Sequence, residues 1–130
     1  MSDRPIIKPT PVISAQSMAS SITGTPTIML RMSMASYSFS WSGTSPVGTI
    51  SIQVSDDYAE DSAGKVSNAG TWNSLPLSLS GSLVTSIPVS GNTGQGFVDV
   101  DSLSAYDIRP IYTAASGTGS LTALVSGKVS

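Results

Sequence analysis

The chain has 130 residues, a length that suits one domain, and it contains neither cysteine nor histidine. These absences exclude a disulfide framework, a thiolate metal site and a Ser-His-Asp triad, and no apolar run reaches the length of a membrane span. Charged residues make up 11% of the chain against a globular norm of about 25%, the net charge is −2 and the basic residues are scattered, so no nucleic-acid partner and no membrane partner are expected.

The first 25 residues differ from the rest because prolines interrupt two apolar pairs. The pairs are Ile6-Ile7 and Val12-Ile13, and they are bracketed by Pro5, Pro9 and Pro11. Proline fixes φ and removes a backbone donor, so the segment is predicted not to sit inside a sheet. Two interpretations stay open: a disordered leader, or an extended arm that orders on a neighbouring subunit. In the second interpretation the partner-binding anchors are Ile6, Ile7, Val12 and Ile13. The predicted organisation is an arm over 1–25 and a β domain over 26–130.

Strand patterns begin at residue 28. Residues 28–34 have apolar side chains at both odd and even positions, so both faces of a strand would be apolar, which predicts a well-buried strand. Residues 37–42 and 48–55 alternate apolar and polar side chains, and residues 43–48 have turn composition between them. This pattern predicts a hairpin with one face turned to the core. The residues predicted to face the core are Tyr37, Phe39, Trp41, Ile50, Ile52 and Val54.

The middle of the chain mixes loops with weaker strands. Residues 56–70 predict a long polar loop that carries half of the acidic residues. Strands are predicted over 72–79, 84–89 and 97–101, with a Gly-rich loop over 90–96. The first two of these strands contain a proline, which places them at a sheet edge or a bulge.

The last 25 residues give the clearest local pattern. Two period-2 apolar runs, 106–115 and 120–129, flank the Gly-rich residues 116–119, which predicts a terminal hairpin. No helical periodicity of useful length occurs anywhere. The prediction is therefore an all-β fold: an antiparallel two-sheet sandwich of about eight strands, jelly-roll or immunoglobulin-like, with an extended N-terminal arm.

A terminal hairpin centred between Gly117 and Thr118 would carry apolar side chains on both faces. In that register Tyr112 faces Ala123 on one side, and Ile111 faces Leu124 on the other. One face covers the core, and the other leaves Ile111 and Leu124 as an exposed apolar strip, which indicates an interface. We therefore expect a homo-oligomer, with a trimer favoured.

Carboxylates cluster at one place, the loop after residue 55. Glu60 is the only glutamate, and Asp56, Asp57 and Asp61 surround it. A glycosidase needs two carboxylates fixed across a cleft, which a polar loop does not provide. Hard oxygens at this loop could ligate calcium, but the EF-hand spacing is missing. We predict a solvated loop, no enzymatic activity, no cofactor, and no catalytic, cofactor-binding or metal-binding residues.

Five short motifs come in a recognisable order. They are TISIQVSDDY at 49–58, NAGTW at 68–72, GQGFVDV at 94–100, YDIRPIYT at 106–113 and SGTGSL at 116–121. Together they resemble a recurrent β-sandwich module of bacteriophage virion proteins, found in capsid decoration (cement) proteins and in head fibres or spikes. The likeness covers about residues 37–129. Pro110 departs from it, since an aliphatic residue is expected there.

The resemblance implies a structural role without catalysis. It suggests a capsid decoration protein that stabilises the head, bound to the major capsid protein or another virion protein. The protein would then be made in the host cytoplasm and end on the capsid surface of the virion. The alternative is a head fibre or spike that binds a host receptor or glycan, with Tyr58 and Trp72 as the aromatic glycan-binding residues.

Overall fold

A computed structural model describes residues 6–29, 34–79, 81–100 and 107–128. Every regular element in these ranges is a β-strand, and all pairings are antiparallel, which confirms the predicted all-β class. The same ranges contain no helix that is long and apolar enough to span a membrane. The strands are β1 (Ile6–Ser17), β2 (Ile22–Thr23), β3 (Thr27–Ile28), β4 (Met34–Ser55), β5 (Ala59–Glu60), β6 (Val66–Asn68), β7 (Asn73–Ser74), β8 (Leu77–Leu79), β9 (Ser82–Val84), β10 (Ile87–Val89), β11 (Thr93–Val100) and β12 (Asp107–Lys128).

Parts of some predicted features lie outside the described residues. They are residues 30–33 of the predicted strand 28–34, residue 101 of the strand 97–101, and residues 106 and 129 of the terminal hairpin. The side chains of Ile6 and Ile7 also lie outside the description.

Two long strands form the spine of the molecule. β4 and β12 each contain 22 residues and pair along their whole length, from Asp107 opposite Ser55 to Lys128 opposite Met34. Both predicted hairpins are therefore wrong, because each is one continuous strand. Their four arms pair across the two strands instead: residues 107–114 lie against 48–55, and residues 116–128 lie against 34–47.

The two segments taken for turns lie opposite each other in this pair. Thr118 faces Thr44, Gly119 faces Gly43, and the register shifts on both sides of Ser116. Ser45 and Gly117 have positive φ angles of 47° and 80°. Such bulges bend a strand without ending it, so the glycines mark a shared kink rather than two turns.

The kink divides the eight-stranded main sheet into two halves. The β11 half contains residues 34–42 of β4 and 116–128 of β12, flanked by β11 and β1. The β10 half contains residues 48–55 of β4 and 107–114 of β12, flanked on one side by β10 and β7 and on the other by β2 and β3. Two separate two-stranded sheets, β5–β6 and β8–β9, complete the described strands.

One hydrophobic cluster takes side chains from both halves. Tyr37, Phe39 and Leu121 come from the β11 half, and Ile52 and Tyr112 come from the β10 half. The alternation read from the sequence is thus confirmed, since Trp41 and Val54 also pack against this cluster. Each fully buried large side chain adds about 1.5–3 kcal/mol to the free energy of unfolding, so both halves depend on the same core.

The N-terminal segment joins the main sheet, but only at its edge. β1 pairs with β12 from Ile6 opposite Lys128 to Ser17 opposite Ser120, with three register shifts. Within the described sheet β1 is an edge strand, where a missing backbone donor leaves no partner unsatisfied. The Ala15 N–H, at one irregular point, donates to the Thr122 hydroxyl at 3.1 Å.

Pro110 also fits its strand for a geometric reason. The Pro110 carbonyl accepts the Gly24 N–H at 2.8 Å, at the point between the β2 and β3 pairings. In an antiparallel ladder the N–H and C=O of one residue point to the same side. The Pro110 nitrogen, which lacks a hydrogen to donate, therefore faces the short gap between the β2 and β3 pairings.

The kink gives a testable difference between two glycines with positive φ. A Cβ on Gly117 would lie 2.0 Å from the Ser45 carbonyl oxygen, whereas a Cβ on Gly81 would meet nothing within 4 Å. Both Gly→Ala changes carry about 1 kcal/mol of left-handed strain. Gly117→Ala should lower the free energy of unfolding by roughly 2 kcal/mol more than Gly81→Ala, because it also overpacks the kink. Urea denaturation measures both, and equal losses would contradict the shared kink.

Candidate interaction surfaces

The predicted N-terminal anchors are built into the chain's own structure. Val12 and Ile13 are buried in the core cluster, with 7% and 1% of their surfaces exposed. The Val12 carbonyl also accepts the Thr25 N–H at 3.0 Å. A neighbouring subunit could reach these two side chains only if β1 left the sheet, so the structure does not support them as partner-binding residues.

Ile111 and Leu124 do not form the predicted strip. They lie in different halves of β12, with Ile111 beside Thr23 and Ser51, and Leu124 beside Pro11 and Ser38. Both side chains are half-buried. The prediction placed them face to face because it assumed a hairpin, and without that hairpin the argument for a trimer loses its basis.

A different apolar row crosses the outer face of the β11 half. Pro11, Leu124, Ser38 and Phe97 occupy neighbouring positions on β1, β12, β4 and β11. Phe97 is 67% exposed. Shallow grooves run on both sides of Phe97, one reaching Leu124 and the other reaching Met34. An exposed aromatic ring between grooves is the kind of feature that protein partners contact.

Sequence reasoning missed Phe97, although its signal was present. Phe97 shares its parity with Gln95 and Asp99, while Val98 and Val100 occupy the other parity and are buried. On an alternating strand this places the phenyl ring on the polar, outward face. Comparison of the two faces of the predicted strand 97–101 therefore predicts an exposed ring at Phe97.

The acidic loop uses its carboxylates internally. Asp57 accepts hydrogen bonds from the Ser55 hydroxyl at 2.8 Å and from the Thr71 N–H at 2.6 Å. The Thr71 N–H and then the Ser55 hydroxyl lower the pKa of Asp57. Asp61 accepts the N–H groups of Ala63 and Lys65, each at 2.9 Å. Among the described residues, no group of three or more acidic, His or Cys side chains could hold a metal ion.

Tyr58 and Trp72 come together, but Tyr58 is not the exposed aromatic residue that the glycan alternative predicts. Their ring centroids lie 5.6 Å apart. The Arg109 guanidinium lies 4.1 Å from the centre of the Trp72 ring, and the indole N–H donates to the Ala69 carbonyl at 2.8 Å. Tyr58 is 8% exposed, and its hydroxyl donates to Glu60 at 2.5 Å.

These contacts tie the loop to the spine. Arg109 on β12 donates through Nε and Nη2 to the Gln53 side chain on β4, at 2.9 and 2.8 Å. The guanidinium therefore links both long strands to the Trp72 ring. One face of the indole is already covered, which leaves a smaller stacking surface than the sequence suggested. The hydrogen bond to Glu60, followed by burial, raises the pKa of Tyr58 to about 12.

Asp107 is a buried carboxyl group without a partner. It is the first described residue of β12, opposite Ser55 and Ile28, and none of its surface is exposed. Neither carboxylate oxygen has a hydrogen-bond partner. Burial, followed by the negative charges of Glu60 and Asp56, raises the pKa of Asp107 to about 6. Alternation along the strand does not predict the burial of Asp107, because Asp107 shares its parity with the half-buried Arg109 and Ile111.

Comparison with known proteins adds a likeness in fold. No protein-family model matches the chain, and no curated protein matches its sequence. Among solved structures, the crystal structure of SPBc2 prophage-derived protein YomS is similar, with a TM-score of 0.59 and 13% sequence identity. The alignment covers 97% of this chain and 96% of that chain. At this identity the likeness shows a shared fold.

Asp107 makes stability depend on pH. Because its folded pKa of about 6 lies above the ordinary value of 3.8, the folded protein favours the neutral carboxyl. Stability from this group is fully present below pH 4 and falls as the pH rises through 6. Asp107→Asn should raise the free energy of unfolding by about 1–3 kcal/mol at pH 7 and change it little at pH 4.

Urea denaturation at the two pH values measures this effect. Asp61→Asn is the matched control, because Asp61 is exposed and asparagine keeps an acceptor oxygen for the loop N–H groups. It should change stability by less than about 0.5 kcal/mol at either pH. The contrary result is a substitution Asp107→Asn that lowers the free energy of unfolding at pH 7 more than at pH 4. That result would show that the carboxylate has a stabilising partner.

Proposed function

We propose that this protein is a non-enzymatic structural component of a bacteriophage virion, and specifically a capsid decoration protein. The observation that carries the proposal is the likeness in fold to the prophage-derived protein YomS, which spans 97% of this chain. Fold likeness alone does not define function, so the role must rest on the surface as well. The five motifs at 49–58, 68–72, 94–100, 106–113 and 116–121, which resemble virion β modules in their order along the chain, point in the same direction.

The surface suits a protein that is packed against other proteins in an assembly. Only 11% of the residues are charged, and the net charge is −2, so long-range repulsion between closely packed copies is weak. The outer row of Phe97, Ser38 and Leu124 offers apolar area edged by hydroxyl groups. We assign this row to the contact with the major capsid protein or another virion protein, in place of the buried Val12 and Ile13.

The chemistry of the described residues is consistent with a role without catalysis. The chain has no histidine or cysteine to serve as base or nucleophile. Asp57 and Asp61 hold their own loop, and Glu60 is engaged by Tyr58. In this proposal the kinked sheet, whose halves share one core, forms a sandwich-like body of jelly-roll or immunoglobulin-like type on the capsid surface.

Particle composition tests the proposal directly. Virions of the phage that encodes this chain should contain it after gradient purification, at a copy number comparable to that of the major capsid protein. Quantitative mass spectrometry of the particles measures the ratio. Absence from purified particles would contradict a virion role, and a copy number far below that of the capsid protein would contradict decoration in favour of a fibre or spike.

The fibre or spike alternative keeps one specific observation in its favour. Tyr58 and Trp72 lie side by side with ring centroids 5.6 Å apart, and the half-buried Trp72 ring is the more accessible of the two. If this pair binds a host glycan, the purified protein should give hits on a glycan array that Trp72→Ala abolishes. Leu83→Ala, at a side chain that is 79% exposed on β9, is the matched control and should keep the hits. An array without hits would contradict the alternative.

A further inference from the structure

The edges of the main sheet are protected unequally. β1 carries Pro9 and Pro11, three register shifts and a positive φ at Ala15. The strands that flank the β10 half, namely β2, β3, β7 and β10, have two or three residues each. Prolines, bulges and shortness are the devices by which proteins stop a sheet edge from pairing with another chain.

β11 has none of these devices. It runs for eight residues in unbroken register with β4, from Thr93 opposite Ser42 to Val100 opposite Ala35. It contains no proline and one charged residue, Asp99. Among the described residues β11 pairs with β4 alone, so its other side presents free backbone donors and acceptors. A long, regular and weakly charged edge is a template for another strand.

The core is also open beside this edge. Gly96 has nothing within 4 Å of the position that a Cβ would take. An apolar cavity of about 240 Å³ opens there, between β11 and β10. Its lining residues include Phe39, Trp41, Ile87 and Val98. The chain's own strands therefore leave apolar surface uncovered at the same edge where the backbone is unpaired.

We propose that β11 pairs antiparallel with β11 of a second copy of this chain, around a two-fold axis at Phe97. Opposed residues in an antiparallel pair point to the same face of the sheet, whereas neighbouring residues of one strand point to opposite faces. A two-fold axis must therefore set one residue opposite the same residue of the second copy, and it cannot lie between two residues of the strand. The axis at Phe97 places the two phenyl rings against each other on the outer face. An aromatic pair of this kind adds stability to a strand pairing.

The remaining side chains of β11 fit this axis. Gln95 faces Asp99 of the second copy, so an amide N–H can donate to a carboxylate, and no two like charges are opposed. On the core face, Val98 of the second copy faces Gly96, where the structure has open space. Moving the axis to Gly96 would set Phe97 against Gln95 and Asp99 against Thr93, and would lose the aromatic pair and the amide–carboxylate match.

The result is a two-fold dimer rather than the trimer that the terminal hairpin suggested. The dimer contact and the proposed capsid-binding row share only Phe97. The dimer does not depend on whether the protein belongs to a virion. Failure of the dimer would leave the particle-composition test unaffected, and the reverse is also true.

The oligomeric state of the purified protein tests the pairing. Sedimentation equilibrium should give twice the chain mass of 13.3 kDa at micromolar concentration. Phe97→Lys opposes two ammonium groups at the axis and should raise the dimer dissociation constant by about 10–100-fold. Leu83→Lys is the matched control, because Leu83 is even more exposed but lies on β9, and it should leave the constant unchanged.

Cysteine cross-linking tests the position of the axis, since the chain has no cysteine of its own. Opposed residues in an antiparallel pair lie about 4.5–5.5 Å apart at Cα, within disulfide range. Phe97→Cys should therefore form a covalent dimer under mild oxidation, and Leu83→Cys should not. Gln95→Cys should cross-link to Asp99→Cys in a mixture, and each alone should remain uncross-linked. A monomeric parent protein, or cross-linking of Phe97→Cys no stronger than that of Leu83→Cys, would overturn the proposal.

Discussion

The pairing of β4 with β12 is the interaction on which the rest of this structure depends. The two strands form the centre of the main sheet, and every other strand of that sheet pairs with one of them. A pair of 22-residue strands could not serve one shared core if it ran straight. The matched irregularity, with Gly117 set against Ser45, lets both strands kink at the same level and keeps the ladder continuous on either side.

At the Ser55 and Asp107 end of the spine, polar contacts are added to the apolar packing of Ile108 and Val54. Arg109 bridges β12 to Gln53 on β4 and to the Trp72 ring. Asp57 and Ser55 organise the loop that returns to this point. Asp107 lies beside these groups with no partner for its carboxyl, which makes this end less favourable at neutral pH than in acid. The loop end is thus the part of the molecule whose stability depends on protonation.

Much of the local pattern could be read from the sequence, and most of the pairing could not. Alternation correctly assigned Tyr37, Phe39, Ile50 and Ile52 to the core, because side-chain direction on a strand is a local property. Glycine-rich stretches predict turns, yet the same residues supply positive φ in a turn and in a bulge. Only the partner strand distinguishes the two cases. For the same reason, the prolines near the N-terminus could not reveal that β1 occupies a tolerant edge, and Asp107 could not be recognised as buried.

The continuity of the two long strands can be measured most directly with paired cysteines. Ser40 lies opposite Thr122 in the β4–β12 ladder, whereas a terminal hairpin centred between Gly117 and Thr118 would put Thr113 opposite Thr122. Directly opposed positions fall within disulfide range. The long-strand pairing predicts rapid intramolecular oxidation of the double variant Ser40→Cys/Thr122→Cys and none of Thr113→Cys/Thr122→Cys. The reverse pattern would show that the C-terminal segment folds back on itself and would contradict the spine.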